Sequence, residues 1–215
     1  MKLTPKWLSV LVLFNVAVAL YVFADTEPKT LQSLQEEYYR SYAYERIGDY
    51  ENAIKSIMPI YQKYPIGYTV NLRLGWLYYL RGAYANSKDH YAKAMKILPN
   101  SNDAKLGYSL NLVVQRQWEE VEKLMYQILN IDYYNYYANL RLSYVLRMQG
   151  KHDLAEKVID KMLLLLPTDV SFLSERALVK IAQGDRSTTT EIYNDILILD
   201  PENVAAKTFL TQQSF

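Results

Sequence analysis

The sequence predicts an all-α chain of stacked helix pairs, and three observations carry that expectation. Pro65, Pro99, Pro167 and Pro201 are spaced 34, 68 and 34 residues apart, and Gly48, Gly82, Gly150 and Gly184 keep the same spacing. One position in this register reads Ser41, Gly75, Ser109, Ser143 and Ala177, small every time. Another reads Ile57, Tyr91, Met125, Ile159 and Tyr193, large and apolar every time. Small residues let two helices cross closely, and a large apolar residue fills a neighbour's groove. Glycine suits the left-handed residue that ends a helix, and proline suits the stop that follows. A unit of this size cannot bury its apolar face alone, so stacking has to supply the core.

Residues 1–24 read as an N-terminal signal peptide or an uncleaved anchor. Lys2 and Lys6 precede an apolar run from Trp7 to Phe23, and Val22-Phe23-Ala24 offers a cleavage site before Asp25-Thr26-Glu27. Export to a periplasm or cell envelope is the expectation, with membrane contact only through residues 7–23 if the segment is retained. Residues 25–33 form a polar lead-in. Helix pairs are expected near 34–65, 68–99, 102–132, 136–167 and 170–201, within repeats 34–67, 68–101, 102–135, 136–169 and 170–203. Residues 204–215, with Val204, Phe209 and Leu210, complete the chain as a short capping helix. Thr188 and Glu191 have capping-box spacing ahead of the last second helix. Pro59 should kink the second helix of the first pair. The third repeat has Arg116 where the others have glycine and Tyr133 where they have proline. Its helix turn should therefore be looser or differently shaped, because a side chain in left-handed geometry costs about 1–2 kcal/mol.

A period of 34 with paired helices resembles the tetratricopeptide repeat family over residues 34–203. Residues 68–101 match best: Leu74-Gly75 and Tyr78 in the first helix, Gly82 and Tyr84 at the turn, Tyr91 and Ala94 in the second helix, and Pro99 at the close. Asn71 stands where the family has tryptophan, and Ser87 where it has alanine. The resemblance implies a right-handed α-solenoid of about five helix pairs plus the capping helix.

It also implies a concave face lined by first helices. By position that face takes Tyr38, Tyr42 and Glu45 from the first repeat and Leu72, Arg73, Trp76 and Tyr79 from the second. Leu106, Leu110 and Val113 follow from the third, and Tyr137, Leu140, Arg141, Tyr144 and Arg147 from the fourth. Helical geometry groups Tyr38/Tyr42, Leu72/Trp76/Tyr79, Leu106/Leu110/Val113 and Leu140/Tyr144/Arg147 independently, because residues four and seven apart share a face. This face is distinct from the one carrying Ser41, Gly75, Ser109 and Ser143, so the first helices have a second apolar stripe, which either packs against neighbouring repeats or forms an open aromatic groove. Of the 21 tyrosines, 19 lie between Tyr38 and Tyr144. Several fill the repeat's own aromatic positions, but Tyr133-Tyr134-Asn135-Tyr136-Tyr137 does not, which makes it a candidate contact outside the stripe.

The function expected is a non-catalytic protein-interaction scaffold holding a peptide or partner helix, with a carboxylate accommodated at the arginines. The Lys/Asn set of carboxylate-clamp members of the family is missing. The alternative is a carbohydrate- or small-ligand-binding module of the kind that accompanies polysaccharide export. Self-association through the terminal repeat is a third possibility. With 24 basic and 23 acidic residues, the formal net charge is +1, and nothing resembles the basic stripe of a nucleic-acid binder. There is no cysteine, which excludes disulfides, thiolate metal sites and a cysteine nucleophile. No catalytic or metal-spaced motif is present, so neither cofactor nor metal is expected. His90 and His152, the two histidines, are expected on a surface.

Overall fold

The computed structural model describes residues 30–212, so the apolar segment 7–23 and its cleavage site lie outside the described residues. Those residues contain eleven α-helices and no strand. Among them, no helix is long and apolar enough to cross a membrane. The chain divides into two compact units, one up to Lys63 and one from Tyr64 onward.

Among the described residues the first unit is a helix pair, α1 (Leu31–Arg46) and α2 (Tyr50–Lys63), packed on each other. Thr30 caps α1 by accepting from the Ser33 N–H, so residues 31–33 are helical rather than part of a lead-in. Ser41 and Ile57 are fully buried where the pair crosses. Helix α2 continues through Pro59 to Lys63.

The second unit is a helical-repeat solenoid of four pairs and a final helix. The pairs are α3 (Tyr68–Leu80) with α4 (Tyr84–Ile97), α5 (Asn102–Val114) with α6 (Trp118–Leu129), α7 (Tyr136–Met148) with α8 (His152–Leu163), and α9 (Val170–Gln183) with α10 (Arg186–Leu199). Helix α11 (Val204–Thr211) follows. Each second helix packs on its own first helix and on the helix that opens the next repeat. First helices begin at residues 68, 102, 136, 170 and 204, one register apart.

The register is set by local chemistry at each start. Ser101, Asn135, Asp169 and Asn203 cap α5, α7, α9 and α11, each accepting from a backbone N–H of the first turn. Such caps are worth about 1 kcal/mol each. Two of them are tied to the preceding repeat, Ser101 Oγ by Tyr68 Oη at 2.6 Å and Asp169 Oδ1 by Tyr136 Oη at 3.3 Å. Helix α10 is capped by Asp185, which accepts from the Thr188 N–H. Thr188 is thus the third residue inside the helix, and the Thr188/Glu191 capping box does not form. An ionised aspartate beside free helix N–H groups makes the better acceptor.

The small and large positions meet as their sizes require. Gly75 and Gly107 both face the Tyr91 ring, which is 3% exposed. A β-carbon added at Gly107 would sit 2.1 Å from Tyr91 Cε1, and one at Gly75 would sit 2.9 Å from the ring. Tyr91 thus enters a slot between two first helices that only glycine leaves open.

Arg116 holds φ at 55°, the only positive value outside glycine among the described residues. Its N–H bonds Val113 O and the Gln117 N–H bonds Leu112 O, the same pair of bonds that Gly82-Ala83 and Gly150-Lys151 make. The third repeat's turn therefore has the same shape as the others and is not looser. The two backbone bonds and the helices on either side hold the arginine in left-handed geometry. Tyr133 likewise takes the turn position that Pro167 occupies one repeat later.

Asn71 and Ser87, the two departures from the family pattern, turn out to be buried polar partners. Asn71 Nδ2 donates to Pro65 O and Gly67 O, at 2.9 and 2.8 Å, clamping the linker before α3. With both amide protons used, only its oxygen can meet His90 Nδ1, at 3.0 Å, so that nitrogen carries the proton. His90 is buried and stacked on Tyr78 at 5.4 Å, not displayed on a surface. Burial pushes its pKa down to about 4, with nearby Lys93 adding to the effect and Asp89 opposing it. Ser87 Oγ donates to Gly75 O and accepts from Asn111 Nδ2, joining three helices.

Candidate functional site

Two adjoining hollows open along the first helices of the second unit. The first, of 250 Å³, is walled by Leu72 and Trp76 of α3, Asp103, Leu106 and Leu110 of α5, and Tyr137 and Arg141 of α7. Tyr91 and Gly107 form its remaining lining. The second, of 330 Å³, runs from Leu110 and Val113 past Tyr137, Leu140, Arg141 and Tyr144 to Ser171 and Glu175 of α9. Leu110, Tyr137 and Arg141 belong to both, so the hollows share a wall and form one channel crossing four first helices.

The helical spacing explains this lining. Leu72, Leu106 and Leu140 are one position in successive repeats, and Trp76, Leu110 and Tyr144 another. Both series are half-buried, so the second stripe supplies the sides of an open channel rather than a sealed interface. Tyr79 stacks on Trp76 at 5.9 Å with 20° between planes, and Trp118 meets Tyr144 edge-on at 5.9 Å. These contacts hold the aromatic walls in fixed orientation. Tyr137 is 64% exposed and stands over the shared wall.

The arginines part company. Arg73 is buried, so it is not a cationic point on the channel as its position suggested. Gly107, the next occupant of that repeat position, leaves the floor open to the Tyr91 ring, and burial raises the Tyr91 phenol. Arg141 follows in the same column. Its Nη1 donates to Leu106 O at 2.6 Å and to Ser109 Oγ, spanning α7 and α5. Burial lowers its pKa, opposed by Tyr79 and Tyr91, but a guanidinium stays charged. Arg147 is neutralised: its Nε and Nη2 donate to the two carboxylate oxygens of Glu175 at 3.0 and 3.2 Å. Its guanidinium also lies over Tyr144, 5.3 Å from the ring centre.

The tyrosine cluster is split. Tyr137 joins the channel, while Tyr136 packs edge-on against Phe172 and bonds Asp169. Tyr133 and Tyr134 are exposed on the inter-repeat turn, with Lys161 Nζ 4.0 Å from the Tyr133 ring centre. Tyr38, Tyr42 and Glu45 lie on α1 in the first unit, where Tyr38 and Tyr42 meet edge-on at 5.6 Å. Sequence reasoning missed Tyr91, Asp103, Gly107, Ser171 and Glu175 as lining residues. Gly107 and Glu175 lie on the register of Arg73 and Arg141, and Asp103 and Ser171 on that of Tyr137, which was the signal available. Among the described residues no group of acidic or histidine side chains could hold a metal ion.

Residues 70–101 match the tetratricopeptide repeat family. Over 102 residues, 47% of the chain, the sequence is 32% identical to human protein O-mannosyl-transferase TMTC1. It spans only 12% of that protein's length. Three solved structures illustrate the likeness of fold. A tetratricopeptide repeat protein from Parabacteroides merdae superposes with a TM-score of 0.73 at 17% identity, covering 83% of this chain and 71% of that one. PilW, a type IV pilus biogenesis factor, gives 0.70 at 20% identity, with 78% of each chain covered. A thermophilic protein of the same repeat type from Thermus thermophilus gives 0.67 at 13% identity, covering 85% of this chain and all of the other. Residues 70–101 thus match a tetratricopeptide repeat, and the 34-residue register runs through a fold that the chain shares with these structures.

Proposed function

We propose that the chain is a non-catalytic interaction scaffold of the periplasm or cell envelope, which holds a segment of a protein partner in the first-helix channel of its second unit. The observation that carries this reading is the pair of joined hollows between Leu72 and Glu175, walled by aromatic rings and aliphatic side chains, with Asp103, Arg141, Ser171 and Glu175 as their polar points. A channel crossing four helices suits an extended or helical segment better than a compact small molecule. The location rests on the sequence of residues 1–24. PilW is a precedent for a similarly folded protein in pilus biogenesis.

A photo-crosslinking residue placed at Tyr137 tests the reading in intact cells, with Lys157 on α8 as control. A protein adduct specific to position 137 is expected, in a fraction released with the envelope. Identical adducts from both positions, or none, would remove the channel as the contact surface. A glycan adduct at Tyr137 would favour the carbohydrate alternative.

A further inference from the structure

Arg141 stands at the wall shared by both hollows and carries a charge that the protein does not neutralise. Among the described residues no carboxylate lies within ion-pair distance of it, and both of its hydrogen bonds use Nη1. Its Nε and Nη2 make no bond to the protein, and neither belongs to the buried nitrogens that lack a partner. That edge of the guanidinium therefore remains accessible from the channel. Arg147, six residues on, shows what such an edge binds. The same two nitrogens there hold both oxygens of Glu175, the side-on pairing that fits a planar fork to a carboxylate.

The neighbours of Arg141 say what surrounds that carboxylate. Leu72, Trp76 and Leu106 flank it on one side, with Asp103 in the same hollow, and Val113, Leu140 and Tyr144 on the other, where Glu175 is already paired with Arg147. A bound chain would continue in both directions past the guanidinium, so the acid is a side chain within the segment and not its terminus. Resting on the channel reading above, we infer that Arg141 recognises an aspartate or glutamate side chain of the partner, flanked on both sides by apolar residues. The channel thus selects an acidic residue inside a hydrophobic segment, with Arg141 as its specificity determinant.

The test captures peptides from a soluble mixture of random octapeptides on the immobilised, detergent-solubilised full chain, identified by mass spectrometry. Captured peptides should be enriched in an internal acid between apolar residues. Resynthesis with Glu→Gln or Asp→Asn should weaken binding about tenfold or more, as loss of a charged hydrogen-bonded pair requires. Amidating the C-terminus should change it less than about twofold. Against Arg141→Gln the acidic peptide and its amide analogue should bind alike. Because the peptide substitutions leave the protein untouched, a poorly folded Arg141→Gln variant does not blunt the result. Captured peptides without acid enrichment, or indifferent to the amide change, would overturn the role of Arg141 while leaving the channel reading standing. Dependence on the free C-terminus alone would overturn the side-chain assignment. No capture above the bare matrix would sink the channel reading and this inference together.

Discussion

Repeats two and four begin alike and differ inside. In each, a buried asparagine reaches back to clamp the preceding linker: Asn71 to Pro65 O and Gly67 O, Asn139 to Tyr133 O and Asn135 O. In repeat two the asparagine oxygen meets His90. In repeat four Val158 stands at the equivalent place, and Asn139 Oδ1 is buried with no partner. The large residue of the second helix is Tyr91 in one and Ile159 in the other. Opposite Tyr91 stands Gly107; at the corresponding position stands Glu175. One backbone arrangement therefore tolerates a satisfied polar network or an unsatisfied one, and a long knob or a short one, provided the facing position compensates. The clamp sets the geometry; its surroundings set the cost.

The largest effect that would break this comparison is steric. Gly107→Ala should destabilise the protein by about 3 kcal/mol, because the new methyl group overlaps the Tyr91 ring. Adding Tyr91→Ile, the repeat-four solution, should recover part of that loss. Urea unfolding of both single variants and the double variant checks this, and strictly additive losses would contradict the knob-and-slot account.

Acid comes next. His90 is held neutral, with its pKa lowered to about 4 from the ordinary 6.5. Between those values the unfolded chain binds more protons than the folded one, so stability falls as pH drops from 6.5 to 4. The full shift corresponds to about 3 kcal/mol, and solvent screening reduces the loss expected from this residue to about 2 kcal/mol. Denaturant titrations at pH 7 and pH 4 should show it, and His90→Gln should flatten that part of the profile.

A smaller difference separates the two clamps. Asn71→Ala should cost about 1 kcal/mol more than Asn139→Ala, because it also removes the buried hydrogen bond between Asn71 Oδ1 and His90 Nδ1. Equal losses from the two variants in thermal unfolding would show that the histidine contact contributes nothing. Smallest is the turn that lacks glycine. Arg116→Gly should stabilise by up to about 1 kcal/mol, relieving the left-handed arginine. A melting temperature that does not rise would mean that the arginine side chain compensates its own strain.

Much of the fold was legible because it is local. The 34-residue spacing of Gly82, Gly150 and Gly184, the small-large alternation, and the starts of the first helices follow from turn chemistry and helical periodicity. The caps at Ser101, Asn135, Asp169 and Asn203 share that register and could have been read from it. The channel was legible in part, since Leu72, Trp76, Leu106, Leu110, Leu140 and Tyr144 share faces that the helix geometry alone defines.

Tertiary structure decided what the periodicity left open, because contacts between repeats depend on which side chain fills the space between two helices. Arg73 and Arg141 occupy one repeat position, yet the first is buried and the second borders both hollows. Arg147 looked like a free cation until Glu175, 28 residues away, was seen to neutralise it. His90 and Asn71 lie 19 residues apart and read as a stray histidine and a departure from the family pattern. Period and face belong to a single helix and can be counted along a chain. Charge balance, burial and the size of a cavity belong to at least two helices, and they exist only once the stack has formed.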